Sequence, residues 1–172
     1  MDKTHFLRLD DRKEILELVT SALQKAITEL RNRIDQIDWY DGGWFVEEVE
    51  PILGLTYIAY QNYINSSIYD KYGSTADKLY HYKKGSKTIK HKRTEIELIV
   101  AIANYYKHRD SEGALHKGTY EVLKDLNLDY AEKKYPEELP ILRATNILSD
   151  SWDLNDITKI VTDWRNLLWS ND

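Results

Sequence analysis

Cysteine is absent from the 172 residues, so neither a disulfide framework nor a thiolate zinc site can form. Proline and glycine are scarce, at 3 and 7 residues, which leaves room for long uninterrupted helices. No apolar run reaches the roughly 18 residues that a membrane-spanning helix needs, and residues 1–14 hold no apolar signal core, so a cytoplasmic protein without a membrane partner is expected. There is no glycine-rich phosphate loop, no nucleophile elbow and no paired-histidine zinc helix. The signatures of nucleotide hydrolases, serine hydrolases and zinc proteases are thus missing. The 5 histidines do not fall at metal-ligand spacing, and neither a metal nor a cofactor is expected.

What is present is a balance of 42% hydrophobic and 31% charged residues, with 13 Tyr and 5 Trp, typical of a chain that folds around a core. The length suits one domain over residues 1–172. Apolar residues recur at three and four along 11–37 (Ile15, Leu16, Val19, Leu23, Ile27, Leu30, Ile34), 44–65, 94–109 and 154–169, and a shorter helix is expected from Thr119 to about Asn127. Together they predict an all-α bundle of four to five mostly antiparallel helices. Pro51 either opens the main part of the second helix or kinks it, and Gly54 offers close approach to another backbone, as in packing of the first two helices. The segment Leu128 to Asp153, with Pro136 and Pro140, is expected to be a short helix or an extended strip.

Charge is unevenly spread. Residues 70–93 carry eight Lys and Arg against Asp70 and Asp77, a net +6, while the remainder carries −11 and the whole chain −5. The expectation is an exposed, mobile basic loop between helices. Lys83, Lys84, Lys87, Lys90, Lys92 and Arg93, interleaved with Tyr80 and Tyr82, have the make-up of a single-stranded nucleic-acid contact, because lysines track phosphates and rings stack on bases. A solvated loop, or a dock for an acidic protein, has the same composition.

The most chemically loaded stretch is Thr94 to His116. Thr94 and Glu97 have the spacing of a capping box, and Asn104 and His108, four apart, share a helix face. Arg109 and Asp110 follow at the last turn, then Gly113 and His116. A basic helix end also serves simply to complement the dipole and bond free carbonyls. The run Arg109-Asp-Ser-Glu-Gly-Ala-Leu-His116 resembles the HEPN superfamily, whose members carry an arginine, a polar neighbour and a histidine a few residues on. The resemblance implies Arg109 as the phosphate-binding group, Asp110 as its polar neighbour and His116 as general acid or base, with Asn104 and His108 auxiliary. A second register takes Asn104 and His108 as the motif's polar residue and histidine, but Ala103 then stands where the arginine belongs, as in a degenerate, non-catalytic member.

The implied activity is metal-independent RNA cleavage in a toxin–antitoxin or phage-defence system, with RNA and a cognate protein as partners and a homodimer as the assembly. The residue types suit it: histidine ordinarily titrates near pH ~6.5 and serves as acid or base, and guanidinium offers phosphate two contacts. A non-catalytic helical binding module, such as an antitoxin, immunity or adaptor protein, is the alternative.

Overall fold

The helix that begins at Glu95 is the centre of the molecule. Thr94 starts it as expected: its hydroxyl oxygen accepts from the Glu97 N–H at 3.2 Å, and its own N–H donates to Glu97 Oε2 at 2.9 Å. Two of the helix's otherwise unpaired donors are thereby satisfied. From Ile96 to Ala103 every side chain is buried, including Ile96, Leu98, Ile99 and Ile102 at full depth. A helix apolar all round has no solvent face and must be enclosed by others.

The computed structural model describes residues 8–84, 88–90, 93–111, 114–128 and 139–170. Among them are seven helices: α1 (Asp11–Gln36), α2 (Gly42–Tyr72), α3 (Lys78–His81), α4 (Glu95–His108), α5 (Lys117–Asp125), α6 (Pro140–Leu148) and α7 (Leu154–Ser170). Two short strands, β1 (Thr88–Lys90) and β2 (Arg93–Thr94), form an antiparallel ladder just before α4. The fold is the expected all-α bundle, with more helices than the periodic stretches indicated. α4 packs against α2, α5 and α6, while α1 lies on α2 and α7. Their buried apolar side chains form one cluster.

α2 extends past the expected 44–65 at both ends. Asp41 caps it by accepting from the Gly43 and Trp44 N–H groups, and the helix runs unbroken through Pro51 to Gly73, whose φ of 69° closes it in the left-handed region. Gly54 does accept a close neighbour, but that neighbour is the Tyr106 ring of α4, not the backbone of α1. Tyr57 and Tyr60 lie in the core, where Tyr57 pairs with Thr145 at 3.1 Å and Tyr60 donates to the Leu154 carbonyl at 2.8 Å. Burial pushes both phenols well above their ordinary pKa.

The basic segment differs from a plain loop. Residues 70–72 finish α2, Lys78–His81 make a helical turn, and Tyr82 is buried with its hydroxyl donating to Asn65 at 2.7 Å. The Thr94 hydroxyl in turn donates to the Tyr82 carbonyl at 2.8 Å, tying this segment to the start of α4. Lys87, Lys92, Gly113 and Pro136 lie outside the described residues, as does the side chain of Lys90.

Candidate functional site

The C-terminal end of α4 is less enclosed, with Lys107 and His108 exposed. Glu97, Ala101, Asn104 and His108 recur at three and four, and together with Lys107 they line an open cleft of about 600 Å³. α2 supplies Gln61 and Asn65 from one of its faces. α5 brings Thr119 and, at its start, His116; the α3 region brings Lys78 and Lys83, and Arg93 enters from β2.

The floor is a chain of hydrogen bonds. The Lys107 ammonium donates to Gln61 Oε1 at 2.6 Å, Gln61 Nε2 donates to Asn104 Oδ1 at 2.8 Å, and Asn104 Nδ2 donates to Thr119 Oγ1 at 3.4 Å. Lys107 is thus held by a neutral amide instead of a carboxylate. Partial burial, with Lys78 adding like-charge repulsion, lowers its pKa. Among the described residues Lys78, Lys83 and Lys107 form no ion pair. Arg93 differs: its guanidinium is engaged by Glu97 at 3.1 Å and Asp125 at 2.7 Å, and these contacts hold its pKa up against burial. In a chain of net charge −5, Lys78, Lys83, Arg93 and Lys107 outnumber Glu97 and Glu121 along the cleft and make it locally basic.

His116 caps α5: its Nδ1 accepts from the Gly118 N–H at 3.3 Å. With Nδ1 accepting, the neutral ring carries its proton on Nε2. His108, at the last residue of α4, is the second imidazole on the same cleft.

Arg109 and Asp110 stand apart from this group and do not line the cleft. The Arg109 guanidinium is paired with Glu50 of α2, lies 4.6 Å over the Tyr106 ring, and reaches Asp110 at 3.4 Å. Burial raises the Glu50 pKa although Arg109 opposes it. Of the residues singled out in the sequence, then, Asn104, His108, His116, Lys83 and Arg93 meet at one cleft, Arg109 and Asp110 meet Glu50 elsewhere, and Lys84 is half-buried beside His81 without lining the cleft. Lys107, Gln61 and Thr119 were missed. Only the i+3 spacing of Lys107 from Asn104 could have indicated one of them.

Among the described residues no three His, Asp or Glu side chains gather as metal ligands, and no helix is long and apolar enough to cross a membrane. No family model matches the chain, and no curated protein or solved structure matches it.

Proposed function

We infer that the protein is an HEPN-like ribonuclease that takes a single RNA strand into the cleft and cleaves it without a metal ion. The observation that carries this reading is that one open cleft is lined by two imidazoles, His108 and His116, and by three lysines that form no ion pair among the described residues. Lys78, Lys83 and Lys107 would bind phosphate oxygens, and Asn104, fixed by Gln61 and Thr119, offers an amide to the ribose or base. His108 removes the proton of the 2′-hydroxyl as it attacks the adjacent phosphorus. His116, in its imidazolium form, protonates the departing 5′-oxygen and is left as the neutral ring. A role in toxin–antitoxin or phage-defence biology follows from the HEPN resemblance alone.

A specific observation favours the second reading, a non-catalytic binding module. The resemblance needs Arg109 at the phosphate, and Arg109 is engaged by Glu50.

The experiment is metal-free incubation of the purified protein with a mixed single-stranded RNA pool, alongside binding measured against salt. Three lysine–phosphate contacts imply a slope of log K against log salt of about −2. His108→Ala and His116→Ala are each expected to abolish cleavage with binding retained, and Lys78→Met/Lys107→Met to weaken both. Binding without cleavage selects the second reading. Cleavage that survives both histidine substitutions refutes the assigned site, and loss of cleavage in Arg109→Ala alone would move the chemistry to the Glu50 side.

A further inference from the structure

Trp39 and Trp44 are 69% and 50% exposed, although an indole is among the most rewarding side chains to bury. Their rings meet edge to face, with centroids 6.2 Å apart and planes at 83°, and Tyr40 packs on the other edge of Trp39 at 6.2 Å. The arrangement is held in advance of any ligand. The Tyr40 N–H donates to the Ile37 carbonyl at 2.9 Å, the Tyr40 hydroxyl donates to Glu48 at 2.7 Å, and Asp41 caps the first turn of α2, where Trp44 sits.

The charge around the pair has one sign. From Ile34 to Pro51 there is no Lys or Arg, against six carboxylates. Arg33 engages Glu48, Arg109 engages Glu50 and the α2 cap occupies Asp41, which leaves Asp35, Asp38 and Glu47 exposed and, among the described residues, without an ion pair. An indole face attracts a cation, and the carboxylates repel a phosphate backbone, so nucleic acid does not suit this surface. The chain already makes such contacts of its own, with the Arg31 guanidinium 5.4 Å over the Trp152 ring and Lys71 and Arg165 over Trp169.

We propose that the Trp39–Trp44 pair and its carboxylate rim form a docking surface for a basic peptide segment of a partner protein, with an arginine or lysine side chain seated against the indole rings. None of its residues lines the cleft, so it stands or falls independently of the ribonuclease reading.

The test is titration of the whole protein with a short arginine–glycine peptide, and with its glutamate-for-arginine counterpart, while the assigned indole N–H resonances are followed by NMR. The Trp39 and Trp44 signals are expected to shift saturably with the arginine peptide only. Trp39→Leu/Trp44→Leu should weaken binding about tenfold with unchanged melting temperature, as both rings are exposed. Asp35→Asn/Asp38→Asn/Glu47→Gln should weaken it and flatten its salt dependence. Unmoved Trp39 and Trp44 signals would overturn the proposal. So would a charge variant that loses binding while the Trp39→Leu/Trp44→Leu variant keeps it, since that is plain attraction to acid. Shifts that appear on concentrating the protein without peptide would assign the surface to a second copy instead.

Discussion

A methyl group added at Gly54 would lie closer than 3.0 Å to three atoms of the Tyr106 ring, and the consequence can be worked out from two opposing effects. Alanine in the interior of α2 gains about 0.5–1 kcal/mol over glycine by restricting the unfolded chain and favouring helix. Forcing extra volume into a filled contact costs about 1–3 kcal/mol. The ring cannot fold away as a flexible chain end would, and it carries the Arg109 guanidinium on its face, so its displacement also disturbs the Glu50 pair. The cost therefore wins. Gly54→Ala is expected to lose about 1–2 kcal/mol, a fall in Tm of roughly 2–8 °C for a chain of this size. In a Tyr106→Ala background the clash is gone, and the same substitution should stabilise by about 0.5–1 kcal/mol. Urea unfolding followed by tryptophan fluorescence at the four corners of the cycle measures both signs. Stabilisation by Gly54→Ala in the wild-type background, or the same sign in both backgrounds, would refute the argument.

Arg109→Ala should cost about 1–2 kcal/mol, because the Glu50 side chain, only 13% exposed, loses its cation, and Arg109→Ala/Glu50→Gln should recover most of that in thermal denaturation. Thr94→Ala removes both the α4 cap and the donor to the Tyr82 carbonyl, and should cost about 1–2 kcal/mol by the same measurement. His81 is buried, stacked on Tyr72 at 4.2 Å, and its Nδ1 has no hydrogen-bond partner among the described residues; burial, then Lys84 and Lys71 against Asp77, lowers its pKa from 6.5. The unfolded chain then takes up the proton first as pH falls, so stability held above about pH 6.5 is lost below it, and His81→Phe, which keeps the stack, should flatten that loss in denaturation curves taken across this range. Burial and Glu48 push the Tyr40 phenol up to about 12, so its contribution is complete below about pH 10 and is lost between there and 12; Tyr40→Phe should shrink the alkaline loss, read by tyrosinate absorbance and unfolding together.

The local signals were readable. The Thr94–Glu97 cap, the start of α1 at Asp11 and the apolar stripe of α7 depend on residues within one or two turns of each other, and they fold as their spacing predicts; in α1 only part of the expected stripe is covered, with Leu16, Ile27 and Leu30 buried but Ile15, Val19 and Ile34 exposed. Long-range pairings were not. Nothing near Gly54 in the chain indicates that Tyr106 fills its place, and nothing near Arg109 indicates a carboxylate on α2. The contacts of the basic segment were hidden for a related reason. Tyr82 is anchored by Asn65 and Thr94, and a count of apolar residues between 70 and 93 cannot register one aromatic ring held by two distant partners. Asn104 and His108 reach the cleft together because helical geometry obliges them to, whereas Arg109, one residue on, is turned 100° further about the axis and leaves it.

The enclosure of α4 sets how the molecule can breathe. The amides of its buried stretch, up to Ala103, have no route to exchange with solvent short of parting the helices around it, so they should be the last to exchange hydrogen for deuterium, at the free energy of global unfolding. Asn104, Lys107 and His108 ride on the final turns of that slow element, while the wall opposite, from Ala76 to Lys83, hangs on few anchors beyond Tyr82 and His81. The cleft therefore pairs a floor set on the most enclosed helix with a wall of a single helical turn, and a ligand of awkward shape is expected to be accommodated by the wall before the floor.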